Sequence, residues 1–205
     1  MGQLYPPPPE IMEQIASHRR WLDSRGDDGH CIYLAFEDHE ALDLRGAMLS
    51  EGMFQETNLS GSRLDGADLA RIVGNGIRLA GASMVDAIAA KAELVGADLR
   101  GVDGQRAIFR NARLREARFD GAQLRGAHFT GADGIQASFR DADLRDTDFS
   151  GALLSAADTI PGPIADSQVG DVLGMFPSFS QLLTTSSVVG GSFLIAVKPL
   201  KGGVL

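Results

Sequence analysis

The sequence contains few of the residues on which disulfide-bonded, aromatic-rich or membrane-spanning proteins depend. Its 205 residues include one cysteine, Cys31, one Trp and two Tyr. A single cysteine excludes an internal disulfide framework, so we expect a reducing compartment. No apolar run approaches the ~18 residues of a membrane-spanning helix. Four prolines at positions 6–9 stand where a signal peptide would carry its basic and apolar regions. These features predict a cytoplasmic protein.

Residue clusters that support catalysis or metal binding are also scarce. His30, Cys31 and His39 lack the paired spacing of a zinc site. The segment from Gly74 to Gly76 lacks the third glycine and the βαβ context of a dinucleotide-binding loop. The sequence shows neither a nucleophile-elbow motif nor a Cys/His couple. We therefore expect no enzymatic activity, no cofactor and no metal site.

What the sequence does contain is a period of five residues. From position 44 to position 154, every fifth residue is Leu twelve times, Phe six times and Met once among 23 positions. The residue two places earlier is Ala at fifteen of these repeats. A period of five fits neither a helix nor a regular strand, so the chain must turn a corner every few residues. Such a short repeat predicts a solenoid.

Some repeats have a glycine where the large residue is expected. Ile72 precedes Gly74 and Val102 precedes Gly104, whereas most repeats have Ala at the position of Ile72 and Val102. Because protein interiors are close-packed, we interpret the larger residue as filling the space that the glycine leaves.

The repeat resembles that of the pentapeptide-repeat proteins. Ala67-Asp68-Leu69 and Ala142-Asp143-Leu144 match its A(D/N)L core, and the resemblance extends from residue 42 to about residue 158. It implies an all-β solenoid, a right-handed quadrilateral β-helix with four pentapeptides in each coil. At the usual spacing of about 4.8 Å between strands, nearly six coils would form a rod about 25–30 Å long.

The resemblance divides the chain into three parts. Residues 1–41 contain the polyproline start, a helix and an irregular first coil; residues 42–158 form the β-helix; residues 159–205 are a non-repeat C-terminal docking tail. The helix is predicted from an apolar stripe that ends before Arg25, and we interpret it as a cap on the first coil rather than as a separate recognition helix. The stripe consists of Ile11, Ile15, His18, Trp21 and Leu22. In the apolar tail, a short helix is expected over residues 167–175 and a strand or hairpin over residues 187–197.

A coil of twenty residues sorts the outward side chains onto four faces. Two faces carry alternating charges, with Asp43 above Arg63 on one and Asp98 beside Arg118 on the other, and are expected to face water. The other two faces carry outward apolar residues, so we expect them to be covered by the chain's own tails or by a partner. The predicted partner-binding residues on these faces and in the tail are Met48, Met53, Val73, Ile88, Val95, Ile108, Ile135, Val188, Val189, Phe193, Leu194, Ile195 and Val197.

Two functions follow from these patterns. The first is a non-enzymatic protein-binding scaffold or adaptor that docks through its apolar faces and its C-terminal tail, as a component of a larger assembly or a homodimer. The second comes from the resemblance, because some pentapeptide-repeat proteins mimic duplex DNA, bind type II topoisomerases such as gyrase and protect them. We favour the first because of how charge is distributed along the chain.

The net charge of −8 and the pI near 4.9 fit a DNA mimic only superficially. Residues 42–158 hold 17 acids and 14 bases, a net charge of −3, whereas residues 1–41 hold 8 acids and 3 bases, a net charge of −5. Seven arginines between positions 100 and 125 interrupt any acidic stripe. Direct nucleic-acid binding through those arginines is disfavoured by the interleaved aspartates and the negative net charge.

Overall fold

The computed structural model describes residues 4–155 and 157, and from Ile32 onward they wind into stacked coils of twenty residues. Parallel bridges join residues twenty positions apart, from Tyr33 and Met53 at one end to Asp133 and Leu153 at the other. Each coil has four sides, and each side contributes one bridge residue. Within the described part of the chain, no side is long enough to form an extended strand. The predicted stacking is confirmed.

Backbone hydrogen bonds run in both directions along the stack. The amide of Arg63 donates to the carbonyl of Leu42 at 2.8 Å, and the carbonyl of Arg63 accepts from the amide of Leu44 at 2.8 Å. At the corners, the amide of Gly46 donates to the carbonyl of Asp65 at 2.9 Å. These bonds satisfy the peptide groups that a narrow interior would otherwise leave without water.

The interior is filled by the residues of the five-residue period. Every one of the 23 predicted positions is buried. In the C-terminal half, five phenylalanine rings, at positions 109, 119, 129, 139 and 149, form a continuous ladder from two opposite faces. Rings twenty residues apart are stacked with centroids 4.8–4.9 Å apart, and rings ten residues apart meet edge to face at 5.5–5.8 Å. Each such pair adds about 0.5–1.5 kcal/mol beyond the area that it buries.

The glycines inside the coil are compensated in two different ways. A methyl group placed on Gly74 would lie 3.4 Å from the Cδ1 of Ile72 and 3.2 Å from a methyl group of Leu94. At Gly104 it would lie 2.9 Å from Leu124, while Val102 is not among the nearest atoms. At Gly74 the preceding Ile72 therefore fills the space together with Leu94 of the next coil, whereas at Gly104 Leu124 of the next coil supplies the nearest atom.

The chain of every repeat turns at a corner residue with a positive φ angle. Many of these residues are glycine, such as Gly121 with a φ of 68°, but others carry side chains, such as Glu116 with a φ of 60°. An L-residue in this region costs roughly 1–2 kcal/mol because its Cβ approaches the following carbonyl oxygen. The non-glycine corners thus hold conformational strain, which the stacking of neighbouring coils sustains.

The chain closes its N-terminal end with two elements. Tyr5 bridges to Leu42, with its amide donating to the Ala41 carbonyl and its carbonyl accepting from the Asp43 amide, both at 2.9 Å. Helix α1, Pro9–Ser24, follows and buries Ile11 in the core. It ends where the sequence predicts, because Arg25 adopts the left-handed conformation that stops a helix. The predicted N-terminal helix is confirmed.

His18 links helix α1 to the first coils. Its fully buried ring accepts a hydrogen bond from the Ile32 amide through Nδ1, at 3.1 Å, and donates through Nε2 to the Ser50 carbonyl, at 2.9 Å. This pair of contacts requires the neutral ring protonated on Nε2. Burial lowers the pKa of His18, and the smaller opposing effects come from the Ser50 carbonyl and the Glu51 carboxylate.

The strain at the corners predicts opposite effects for two matched substitutions. Glu116→Gly should raise the free energy of unfolding by about 0.5–1 kcal/mol, since the relief of the Cβ strain exceeds the added chain entropy of glycine. Gly121→Ala should lower it, and because no atom lies within 4 Å of the added Cβ, the loss would be purely conformational. Chemical denaturation measures both values. A Glu116→Gly variant less stable than the parent would contradict the strain at this corner.

The buried neutral ring of His18 predicts a pH dependence of stability. In the unfolded chain the ring gains a proton near pH 6.5, whereas the folded protein resists protonation until lower pH. The free energy of unfolding should therefore be fully maintained above about pH 6.5 and should fall as the pH is lowered through the interval between the two pKa values. His18→Asn, which keeps an acceptor for Ile32, should flatten this slope in denaturation curves, while His30→Asn at an exposed position should preserve it. An unchanged slope in His18→Asn would exclude His18 as its source.

Candidate interaction surface

The twenty-residue coil gives the rod four faces, each named here after one of its bridge residues. The Asp43 face has bridge residues Asp43, Arg63, Ser83, Asp103, Gln123 and Asp143. The Met48 face has Met48, Asp68, Ile88, Ile108, His128 and Asp148. The Met53 face has Tyr33, Met53, Val73, Glu93, Arg113, Asp133 and Leu153. The Asn58 face has Asp38, Asn58, Arg78, Asp98, Arg118 and Ser138.

Ion pairs on the two charged faces form chiefly within one side of a coil. Asp43 binds the Nε of Arg45 at 2.7 Å, although Arg63 is its stacked neighbour in the next coil. Asp98 binds Arg100 in the same way, at 2.7 Å, rather than Arg118. The expected stacking is correct, but the guanidinium two residues along the chain reaches the carboxylate first. Arg45 and Arg100 hold the pKa of Asp43 and Asp98 below the usual range of a carboxyl group.

Other ion pairs join adjacent coils at the corners. Arg106 binds Asp86 at 2.7 Å, and Arg125 binds Asp146 at 3.1 Å. These pairs are exposed and add little to stability. They nevertheless show that a neighbouring guanidinium neutralises many of the carboxylates along the rod.

The other two faces expose apolar side chains. Met48 and Ile88 have exposed fractions of 37% and 40%, while Met53, Val73 and Ile108 are half-buried. The Met48 and Met53 faces meet along the corner residues 51, 71 and 91. We call the residues on both sides of this edge the apolar corner: Met48, Met53, Val73, Ile88 and Ile108. Five of the predicted partner-binding residues therefore lie on the two sides of one edge, although Asp68 stands between Met48 and Ile88 and the edge itself carries Glu51, Arg71 and Lys91.

Val95 and Ile135 lie apart from this surface. Both are half-buried, and they occupy the far side of the Met53 face, next to its edge with the Asn58 face. Arg115 lies between them in the stack and binds Asp133 at 2.6 Å. The sequence pattern placed these two residues on the correct face, but the charged pair separates them.

Two exposed aromatic residues extend the Met53 face toward the N-terminus. Tyr33, with an exposed fraction of 53%, bridges to Met53, so that Tyr33, Met53 and Val73 form an apolar column across three coils. Phe36, at the neighbouring corner, has an exposed fraction of 68%. Sequence reasoning missed both because the repeat was counted from residue 42. Extending the same register back by ten residues reaches the buried Ile32 and Leu34 and finds them.

The predicted binding residues of the C-terminal tail lie outside the described residues. They are Val188, Val189, Phe193, Leu194, Ile195 and Val197. The short helix expected over residues 167–175 also lies outside the described part of the chain.

Titratable groups near helix α1 do not assemble into a metal site. Across residues 4–155, no three His, Cys, Asp or Glu side chains are close enough to hold a metal ion. His39 contacts Glu37 at 2.5 Å, whereas His30 lies beside Ser17 and Cys31 faces the Glu51 carbonyl. Burial raises the pKa of the Cys31 thiol, which keeps it protonated. A cleft of about 360 Å³ lies between helix α1 and His30 and Cys31, with Glu10 and Glu13 in its lining.

The helix in the described part of the chain is too short and too polar to cross a membrane.

Comparison with solved structures gives several similar proteins. QnrB1, a plasmid-mediated fluoroquinolone resistance protein, is 18% identical over 70% of this chain and 94% of its own, with a TM-score of 0.35. The pentapeptide-repeat protein alr5209 from Nostoc PCC 7120 is 22% identical over 77% of this chain and 99% of its own, with a TM-score of 0.33. HetL, involved in heterocyst differentiation regulation in Nostoc sp. strain PCC 7120, is 21% identical over 69% of this chain and 94% of its own, with a TM-score of 0.24. No curated protein sequence matches the chain.

The family model described as pentapeptide repeats matches eight copies, over residues 42–73, 75–103, 92–131 and 117–155. These matches span more than half of the sequence and coincide with the stacked coils. The chain belongs to the pentapeptide-repeat family.

Proposed function

We propose that this protein is a non-enzymatic scaffold or adaptor that binds a protein partner through its apolar corner. The observation that supports this function is the apolar column from Tyr33 through Met53 to Val73, with the exposed Met48 and Ile88 on the adjoining face on either side of Asp68. Contiguous apolar surface on a folded protein usually marks a place where another surface packs. Most arginines of the charged faces on either side pair with nearby carboxylates, which favours this corner as the part of the rod that binds a partner.

The stacked coils make the corner a preorganised surface. Each apolar side chain stands on a backbone segment that is hydrogen-bonded to the coils on both sides. Met53 bonds to Ile32 and Leu34 of the preceding coil, and its neighbours Gly52 and Phe54 bond to Val73 of the next. Little conformational entropy remains to be lost in this backbone when a partner binds. A rigid rod of this kind suits a scaffold, whose function is to hold surfaces at fixed spacings.

The C-terminal end of the coil stack offers a second docking element. In earlier coils, the amides of Leu124 and Phe129 donate to the next coil, at 2.9 and 2.7 Å. The equivalent amides of Leu144 and Phe149 face beyond the last described coil and have no acceptor within residues 4–155. Such an edge accepts an added strand, and the apolar segment at residues 187–197 is suited to supply one, either to this edge or to the sheet of a partner.

The proposal predicts that one charged side chain introduced into the apolar corner by substitution strongly weakens partner binding. Val73→Asp and Ile88→Asp should each reduce capture of the partner from an extract of the native host by at least about tenfold, because an unpaired carboxylate would be buried in the complex. The matched control is Gln123→Asp, an exposed bridge residue of the Asp43 face. Quantitative mass spectrometry of the captured proteins measures the loss, and circular dichroism verifies the fold.

Removing residues 186–205 tests the tail separately. The truncated protein should lose its partner while keeping the β-helix signal in circular dichroism, since the described coils end well before residue 186. If both corner variants and the truncated protein bind the partner as the parent does, the docking site lies elsewhere.

A DNA mimic that binds gyrase is the alternative. It would need continuous unpaired negative charge along the rod, whereas Asp43, Asp98 and Asp143 each hold an arginine two residues away. The discriminating assay adds the purified protein to gyrase. Inhibition of supercoiling, or relief of fluoroquinolone poisoning, at stoichiometric concentrations would establish the mimic instead of the scaffold.

A further inference from the structure

We infer that the apolar corner is covered by a second copy of this chain, with the two rods antiparallel and related by a two-fold axis. The inference rests on the proposed docking function of that corner and names its occupant. The supporting observation is that one end of the corner has acids and the other end has cations without ion-pair partners among the described residues. When two copies lie antiparallel, the acids of each copy face the cations of the other.

Unpaired cations lie at the C-terminal end of the corner. Lys91 and Arg110 are exposed and adjacent, since the amide of Lys91 donates to the carbonyl of Arg110 at 2.9 Å. Neither side chain has a hydrogen-bond or ion-pair partner within the part of the chain that the structure describes. Nearby arginines do have partners: Arg71 binds Glu51, Arg106 binds Asp86 and Arg113 binds Glu93. Two neighbouring positive charges without a counter-ion repel each other, and an opposite charge supplied from outside would stabilise them.

Unpaired acids lie at the N-terminal end of the same corner. Glu10 and Glu13 are exposed and have no ion-pair partner among the described residues. They line the cleft beside Cys31. Cys31 lies one coil before Glu51, at the start of the stack of corner residues that continues through residues 71 and 91. The neighbouring Gln14 accepts a hydrogen bond from the Tyr33 amide at 3.4 Å, which holds this part of helix α1 against the Met53 face.

The apolar residues lie between these two charged ends. Adjacent coils are about 4.8 Å apart, so the level of Cys31 and the levels of Lys91 and Arg110 are separated by about 14–19 Å. Met53, Val73 and Ile88 occupy the intervening coils. A two-fold axis between the levels of Glu51 and Arg71, perpendicular to the rod, sets Glu10 and Glu13 of each copy against Lys91 and Arg110 of the other. The same axis sets Met53 of each copy against Val73 of the other, and Glu51 of each copy against Arg71 of the other.

This arrangement is the self-complementary contact of a closed dimer, in which the same surface is used twice. A parallel arrangement of the same surfaces would instead oppose acids with acids and cations with cations, so the charges select the antiparallel one.

Charge reversal of each end tests the inference. We expect sedimentation velocity to show a dimer for the full-length protein, and a dimer that weakens as salt rises. Glu10→Lys with Glu13→Lys, and separately Lys91→Glu with Arg110→Glu, should each weaken self-association by at least about tenfold, because like charges then face each other at both contacts. Arg78→Glu on the Asn58 face, whose side chain also has no ion-pair partner among the described residues, is the matched control and should leave the dimer intact.

The decisive measurement mixes the two reversed variants in equal amounts. Their heterodimer has opposite charges at both contacts, so native mass spectrometry should show it in preference to either homodimer. Circular dichroism of each variant verifies that both are folded.

A monomeric parent protein, a dimer that survives both reversals, or folded variants that fail to associate on mixing would overturn the inference. These outcomes are distinguishable from failure of the docking function. In any of these cases, loss of the host partner by Val73→Asp would show that the corner binds a different protein.

Discussion

The parallel bridges between residues twenty positions apart are the constraint on which this structure depends. Each side of a coil provides one bridge residue, whose amide and carbonyl bond to the two residues that flank its partner in the preceding coil, as Arg63 does with Leu42 and Leu44. Because every bridge partner is twenty residues away, the same spacing decides which side chains stack in the interior and which share a surface. The phenylalanine ladder and the column from Tyr33 to Val73 are products of this one register.

The register also explains how a rod of stacked coils can present a binding surface. Neighbouring coils bring residues together that are far apart in the sequence, such as Tyr33 with Met53 and Met53 with Val73. The positions of the apolar and charged residues in the sequence then decide which edge of the rod is adhesive. We propose that the apolar corner is the binding surface, since most aspartates and arginines of the charged faces pair with each other, whereas Glu10 and Glu13 at one end and Lys91 and Arg110 at the other lack an ion-pair partner among the described residues.

The interior was predictable because the period itself is the signal: every fifth residue from position 44 to position 154 is buried as expected. The partners in the ion pairs were not predictable from the sequence. The period places Asp43 near both Arg45 and Arg63, and the geometry of the side chains determines that Arg45 binds it. Tyr33 and Phe36 escaped prediction because the coil around them has Ile32 where most repeats have Ala, which hides the register. At Gly104, the filling by Leu124 depends on contact between coils, which a single repeat does not show. The tail segment at residues 187–197 stays a prediction.

The central claim is that the twenty-residue register creates the docking surface, and its most direct test is to change the register without changing the interior. Deleting residues 77–81 removes one whole repeat, which preserves the buried pattern but moves Ile88 and Ile108 onto a different face from Met48. Deleting residues 112–131 removes one whole coil beyond the apolar corner and leaves its residues in place. We predict that circular dichroism shows a β-helix for both proteins, and that only the second binds as the parent does. Equal binding by both proteins would contradict the claim.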